Sequence, residues 1–235
     1  MTDTTMHLIS AGAAKGLVEA QREAFERASG MRLEGQFGAV GAMRELLDAG
    51  APCDVLILTQ AMLDELAHRA VVDVATIRPL GRVYTGVAVP ADSVRPAIGD
   101  AEALGAALLA ASAIYFPDPQ RATAGIHFAN TLVQLGIRER VAERLHAYPN
   151  GATAMRAMAE ADDPHAIGCT QVTEILYTPG VALVGRLPKA FELSTVYAAG
   201  ACNRAAQADA ARQLVEILTG EAAAAVRKAG GFESV

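Results

Sequence analysis

Short stretches of small residues stand where the sequence predicts that strands end and helices begin. Residues 10–14 read Ser-Ala-Gly-Ala-Ala, residues 37–41 read Phe-Gly-Ala-Val-Gly, and longer loops begin at positions 117 and 148. Small residues let the backbone approach a ligand closely, and helix N-termini offer unpaired N–H groups with a partial positive charge. Four such termini meeting at one crevice predict an anion site that needs no Lys or Arg. Ordinary short turns also favour Gly and Pro, so one loop alone would indicate little.

Backbone amides and a few polar side chains make up the predicted site. The expected ligand-binding residues are Ser10, Ala11, Gly12, Ala39, Val40, Thr59, Thr85, Arg121, Thr123, Ala124, Gly125, Asn150, Gly151 and Gln171. Gln171 can donate its amide to a carboxylate, and Arg121 can pair with one; a capping role and a solvated surface position are the alternatives. Thr59 and Thr85 either contact the ligand or cap, and Asn150 is most simply an N-cap.

Two residues are candidates for proton transfer. His127 lies about one turn into a helix predicted to begin at Thr123, and a neutral imidazole near pH 7 suits a general base. The alternative is a packed or solvent-facing histidine. Glu174 is the reserve base, with a hydrogen bond to its own loop or to an interdomain hinge as the alternative.

The sequence lacks the fingerprints of nucleotide enzymes and zinc hydrolases. No G-x-G-x-x-G follows a predicted strand, and there is no P-loop, H-E-x-x-H or G-x-S-x-G motif. The five histidines show no metal-ligand spacing, so we expect neither a metal nor a cofactor. Cys53, Cys169 and Cys202 are interpreted as small buried hydrophobes rather than as a disulfide framework, because their number is odd. A catalytic thiol is conceivable only at Cys169.

Strands alternate with helices along the whole chain, which is typical of βαβ units and a mostly parallel sheet. Predicted strands cover residues 6–10, 32–37, 54–58, 83–90, 113–116, 166–170, 181–184 and 195–201. Predicted helices cover residues 16–29, 41–49, 60–68, 101–111, 123–135, 137–145, 151–161, 205–219 and 221–229. A second set of units begins near Arg82, and the last strand and helices return to the first. We therefore predict an α/β fold of two lobes, residues 1–82 with 195–235 and residues 83–194, with the ligand cleft between them.

Composition and charge limit the classes of partner that the protein is expected to bind. The chain has 235 residues, 52% of them hydrophobic, and a formal net charge of -6, with a pI near 5.4. Such an acidic chain has no electrostatic footprint for nucleic acid or an anionic membrane, and no apolar stretch reaches membrane-span length. The N-terminal residues show neither a basic nor an apolar signal region, so we expect a cytoplasmic protein. A homodimer is possible.

Several segments resemble the molybdate-binding-protein family of type II periplasmic solute-binding proteins. They are the opening loop at 10–14, Gly-Ala-Pro-Cys-Asp-Val-Leu-Ile at 50–57, Asp-Pro at 118–119, Ala-Gly-Ile at 124–126, Gly-Ala-Thr-Ala-Met at 151–155 and the stretch 167–174. The resemblance implies a two-lobed fold with an oxyanion held by loop serines, by amides of the Ala-Gly-Ile helix start and by a late tyrosine. Here those hydroxyl positions carry Ala13 and Ala14, Ala39 and Val40, and Gln171. The missing donors argue against molybdate or sulfate, because an unpaired buried oxyanion charge is costly.

The branch of this fold that includes aconitate isomerase is a closer resemblance. The residues that carry it are 171–188, 54–58 and the Ala-Met-Leu-Asp-Glu-Leu at 61–66. It implies a ligand that bears carboxylates. Our leading hypothesis is an isomerase that shifts a proton on an unsaturated di- or tricarboxylate. The alternatives are a non-catalytic solute-binding protein that serves an importer, and an intracellular anion sensor.

Overall fold

The computed structural model describes residues 5–235, which divide into two compact units. The first contains the described chain up to Val83 together with Thr195–Val235, and the second is Tyr84–Ser194. Positions 1–4 lie outside the described residues. They begin the predicted first lobe, and they belong to the N-terminal segment from which the localisation was predicted.

Helices and strands alternate as the sequence pattern predicts, and their bounds are as follows. The strands are β1 (Thr5–Ala11), β2 (Arg32–Gly38), β3 (Val55–Thr59), β4 (Arg78–Pro90), β5 (Ile114–Pro117), β6 (Leu145–Tyr148), β7 (Ile167–Gln171), β8 (Val181–Arg186) and β9 (Ser194–Ala201). The helices are α1 (Lys15–Ser29), α2 (Val40–Asp48), α3 (Gln60–His68), α4 (Ala101–Ala110), α5 (Thr123–Gln134), α6 (Gly151–Glu160), α7 (Val172–Tyr177), α8 (Ala208–Thr219) and α9 (Ala224–Ala229). The prediction of a mixed α/β fold is confirmed.

In the first unit, β1 lies between β2 and β3 and runs parallel to both, while β9 pairs antiparallel with β3. The apolar run of β3 is buried from Val55 to Leu58, as expected for a strand covered on both faces. Helices α1 and α8 bury Phe25 and Leu214 in the same core. Because β1, β2 and β3 are parallel, their carboxyl ends lie at one edge of the sheet, and we call it the first edge.

In the second unit, β5 lies between β6 and β7 and runs parallel to both. Strand β4 pairs antiparallel with β7 and with β8. Leu108, Phe128 and Leu132 are fully buried in the core beside this sheet. The carboxyl ends of β5, β6 and β7 meet at one edge, from which α5, α6 and α7 begin. We call it the second edge.

Two segments differ from the prediction. The helix predicted at 137–145 is wrong, because the chain forms a 3-10 helix over Glu139–Arg144 and then β6. Strand β6 is stabilised by pairing with β5 and by the ring of Tyr115, which stacks on His146 and Tyr148 at centroid distances of 5.1 and 6.0 Å. Helix α7 was not predicted, and its six residues are too few to show a helical period.

Candidate functional site

At the first edge, two helices begin without a side-chain cap. The 3-10 turn Gly12–Ala14 that leads into α1 has Ala11 as its N-cap, and α2 has Ala39; neither side chain can accept a hydrogen bond. These helix starts present backbone N–H groups, as the sequence predicts for Ala11, Gly12, Ala39 and Val40. The hydroxyl of Ser10 is buried and donates to the carbonyl of Ala11 at 3.0 Å.

Thr59 stands at the end of β3 and is the N-cap of α3. Its hydroxyl oxygen accepts a hydrogen bond from the Met62 amide at 3.3 Å. Of the two roles predicted for Thr59, capping is therefore the one that its geometry displays.

At the second edge, the buried carboxylate of Glu174 links the starts of two helices. It accepts hydrogen bonds from the amides of Gly151 and Ala152 at the start of α6, from the amide of Gln171 at the N-cap of α7, and from the Thr170 hydroxyl at 2.6 Å. The bond to Gln171 is the return half of a capping box, in which the third residue of a helix reaches back to its N-cap. Burial raises the pKa of Glu174, while these four hydrogen bonds act in the opposite direction. The side chain of Glu174 thus accepts some of the backbone N–H groups that the sequence predicts for an anionic ligand.

Two glycines at the second edge are required by close neighbours. A Cβ on Gly151 would collide with the Thr170 hydroxyl and with the Glu174 carboxylate. A Cβ on Gly125 would collide with the carbonyl oxygens of Pro117 and Asp118. Their small size therefore serves the packing of the strand ends on the helix starts. Asn150 acts as the N-cap of α6, with its side-chain oxygen accepting from the Thr153 amide at 2.9 Å.

Helix α5 begins at the second edge without a side-chain cap, since its N-cap is Ala122. In the preceding loop, Asp118 accepts hydrogen bonds from the amides of Gln120 and Arg121 at 2.7 and 3.2 Å. The loop carboxylate is thereby held by its own loop. The Arg121 side chain is exposed.

Buried hydroxyls surround the carboxyl end of β7. Thr85 of β4 lies directly opposite Gln171 in the antiparallel pair, and Thr173 is in the first turn of α7. Thr85 is 1% exposed and Thr173 4%, and within the described part of the chain neither hydroxyl oxygen has a hydrogen-bond partner. Most buried polar atoms in proteins are paired, so each of these hydroxyls calls for an explanation.

His127 lies in the second turn of α5 and is half-buried. Its Nε2 is 2.7 Å from the carbonyl oxygen of Phe191. A carbonyl only accepts, so Nε2 carries the hydrogen and Nδ1 of the neutral ring is left to take up a proton. The hydrogen bond fixes the ring and its tautomer, a requirement for a general base.

The predicted site residues thus fall into two groups. Ser10, Ala11, Gly12, Ala39, Val40 and Thr59 lie at the first edge, and Thr123, Ala124, Gly125, Asn150, Gly151, Gln171 and Glu174 at the second. Of the other three, Thr85 lies on β4 opposite Gln171, Arg121 in the loop before α5, and His127 in the second turn of α5. Sequence reasoning missed Thr170 and Thr173, two hydroxyl residues that stand on either side of Gln171 and Val172 and just before Glu174. Ligand contact by any of these residues stays a prediction.

The described residues form neither a metal-binding cluster nor a membrane-spanning helix. Within 5–235, no three His, Cys, Asp or Glu side chains are grouped closely enough to hold a metal ion. In that part of the chain, every helix is too short or too polar to cross a bilayer.

In both α/β units, helices begin at the carboxyl ends of parallel strands. The chain passes from the first unit into the second along β4 and returns to the first at the start of β9. Both features are typical of periplasmic-binding-protein folds. The chain belongs to the bacterial extracellular solute-binding protein family, whose sequence pattern matches residues 6–233.

Relatives agree with this class. The aconitate isomerase of a Pseudomonas species is 25% identical over 99% of this chain and 88% of its own length. The periplasmic molybdate-binding protein of Azotobacter vinelandii superposes with a TM-score of 0.77 over 98% of this chain and 99% of its own, at 18% identity. PEB3 of Campylobacter jejuni, bound to L-phospholactate, superposes with a TM-score of 0.66 over 98% of this chain and all of its own, at 13% identity.

Proposed function

We propose that the protein binds a small organic carboxylate, and that the second edge supplies the decisive hydrogen bonds. The observation that carries this proposal is the pair of buried Thr85 and Thr173 hydroxyls, which have no partner among residues 5–235. A hydroxyl can donate to a carboxylate oxygen, and hydrogen bonds to charged groups are the stronger kind. The uncapped start of α5 adds backbone N–H groups and a partial positive charge.

The ligand class follows from the number and kind of donors. At the first edge the residues that follow β1 and β2 are Ala, Gly and Val, and the Ser10 hydroxyl already donates to the backbone. A small tetrahedral oxyanion concentrates its charge and requires many donors at once. A carboxylate has two oxygens on a carbon skeleton, and its apolar part can pack against small apolar side chains. The proposed ligand therefore carries one or more carboxylates, as the resemblance to the aconitate isomerase branch also implies.

Binding is tested by calorimetry with cis-aconitate, trans-aconitate, citrate, molybdate and sulfate. We expect heat of binding from at least one carboxylate and none from the two inorganic anions. Thr85→Val and Thr173→Val should each weaken carboxylate binding about 10- to 100-fold, the loss of one hydrogen bond to a charged group. Thr131→Val is the matched control, because Thr131 is equally buried but its hydroxyl already donates to the carbonyl of His127. Tight molybdate binding, or equal losses in all three variants, would contradict the proposal.

A second candidate function is isomerisation of the bound carboxylate, favoured by the full-length similarity to the Pseudomonas enzyme. In the proposed step, Nδ1 of His127 removes a proton from a carbon next to a carboxylate and exchanges it with solvent, and the imidazole then delivers a proton to another carbon of the allylic system. Amides at helix starts would stabilise the enolate-like charge. Glu174 remains the reserve base, although four internal donors already hold its carboxylate.

Proton exchange separates an isomerase from a binding protein. The protein is incubated with each aconitate isomer in deuterium oxide, and deuterium incorporation and product are followed by NMR. His127→Gln is the informative variant, because a glutamine amide can still donate to the Phe191 carbonyl but cannot accept a proton. We expect it to bind ligand and to lose exchange. Binding without exchange by the natural protein would leave a solute-binding role, and unchanged exchange in His127→Gln would remove His127 from the mechanism.

A further inference from the structure

Two thiols lie side by side in the first unit. Cys53 stands two residues before β3 and Cys202 directly follows β9, and their sulfur atoms are 3.6 Å apart across a sequence separation of 149 residues. The antiparallel pairing of Val55 with Ala201 and the hydrogen bond from the Cys202 amide to the Asp54 carbonyl, 2.8 Å, hold this backbone in place. The proximity is therefore built into the sheet.

This arrangement suits a covalent bond better than a metal ion. Over residues 5–235 no third His, Cys, Asp or Glu completes a metal site with the two thiols. A disulfide has an S–S length of roughly 2.05 Å, so the sulfurs must approach by about 1.5 Å, a distance that rotation of two side chains can supply.

A surface cavity gives access to the pair. It has a volume of about 530 Å³ and is lined by both cysteines, by Pro52 and Val71, and by Arg69 and Arg204. Arg69 shares its charge with Asp48 and Glu65 at 3.7 and 3.8 Å, and Arg204 is exposed. Asp48 also lines the cavity, so exposed Arg204 is the guanidinium group beside half-buried Cys53 that favours an oxidant carrying carboxylates.

We propose that Cys53 and Cys202 are a modification site at which a low-molecular-weight disulfide, such as oxidised glutathione, forms an internal disulfide. Cys53 loses its proton, and its thiolate attacks one sulfur of the oxidant and expels the first small thiolate. Cys202 then loses its proton and attacks the Cys53 sulfur of the mixed disulfide, which expels the second. The two cysteines lose two electrons and two protons, and the oxidant is reduced to two thiols.

The hydrogen bond with Cys202 and burial both raise the pKa of the Cys53 thiol. Little thiolate is therefore present at neutral pH, and the exchange is slow. Hours of incubation are needed before the cross-link is scored.

The cross-link has a measurable consequence for folding. It closes a chain segment that includes the whole second unit by sequence, and longer closed segments restrict the unfolded chain more. We expect the melting temperature to rise by roughly 5–10 °C on oxidation, and to return when the protein is reduced.

The test uses the folded protein equilibrated with oxidised glutathione, then denatured and treated with a maleimide that adds visible mass. Reduced protein should take up three maleimides, one for each cysteine of the sequence, and oxidised protein one, at Cys169. A non-reducing peptide map should recover the peptides of Cys53 and Cys202 joined. Three free thiols, stable glutathione adducts in place of the link, or a link to Cys169 would overturn the proposal.

Single variants complete the test. Cys53→Ser and Cys202→Ser should each lose the oxidative shift in melting temperature, while Cys169→Ala should keep it, because Cys169 is fully buried in the second unit. If a serine variant does not fold, the peptide map of the natural protein still decides.

Discussion

The first and second edges differ in where each unit keeps its buried carboxylate. In the first unit the carboxylate of Asp54 lies at the amino end of β3, where it accepts from the amides of His7 and Ala206 at 2.8 Å each. In the second unit Glu174 lies near the carboxyl end of β7 and accepts hydrogen bonds from the amides of two helix starts. The difference teaches that helix starts at equivalent strand ends can have different donor capacity, because the Glu174 carboxyl group accepts the first amides of α6, whereas no side chain caps the starts of α1 and α2.

The stability of the second unit depends on the Glu174 side chain, because that side chain accepts hydrogen bonds from its helix starts. Removal of the Glu174 side chain leaves three amides and the Thr170 hydroxyl without an acceptor in a buried place. We expect Glu174→Ala to lower the free energy of unfolding of the second unit by roughly 3–5 kcal/mol. Chemical denaturation measures this, with Glu160→Ala on the exposed end of α6 as the control. A loss below that of the control would mean that the carboxylate is dispensable for folding.

The ionisation of Glu174 has a smaller, pH-dependent effect on the free energy of unfolding. Burial raises its pKa above the unfolded value near 4.5, so the folded state holds the proton more tightly than the unfolded chain. The stabilising contribution is complete below that value and is lost as the pH rises through the raised pKa. The unfolding free energy of the natural protein, minus that of Glu174→Gln, should fall as the pH rises from 4.5 through the raised pKa of Glu174. A difference that rises with pH would show that the hydrogen bonds outweigh burial.

Two helix glycines of the second unit allow a test of close packing at the second edge. Gly151→Ala should cost roughly 1–3 kcal/mol of stability, because its Cβ meets Thr170 and Glu174. Gly105→Ala in α4 meets only Leu135, at 3.9 Å, and should stabilise by roughly 0.4–1 kcal/mol through the unfolded chain. Thermal unfolding of both variants checks the pair. Equal effects would mean that the Glu174 network is looser than the structure shows.

The two capped helix starts, one at each edge, give the smallest expected effect. Thr59→Ala and Asn150→Ala should each cost about 1 kcal/mol of stability, because each removes one N-cap acceptor. Neither variant should change the affinity for a carboxylate by more than about twofold if capping is the whole role. A large loss of affinity in Thr59→Ala alone would place a ligand at the first edge and would reverse the emphasis on the second.

Much of the fold and part of the candidate site were predictable from the sequence. The alternation of apolar strands with amphipathic helices predicted the mixed α/β fold, and the strand ends predicted at residues 10, 37, 58 and 170 lie one residue before the ends in the structure. The absence of hydroxyl side chains at positions 13, 14, 39 and 40 is a property of the sequence alone, as is the N-cap role of Asn150. These features depend on neighbours within a few residues, so the local sequence pattern is sufficient to predict them.

Tertiary structure decided the rest. Strand β6 forms because β5 offers it a pairing edge and Tyr115 a stacking partner, a long-range gain that a helical pattern over 137–145 conceals. Glu174 accepts the amides at the start of α6, some twenty residues away, only because β7 brings it there. The sulfur atoms of Cys53 and Cys202 meet only because β3 pairs with β9. In each case the partner is distant in the chain, and the interaction exists only once the sheet has formed.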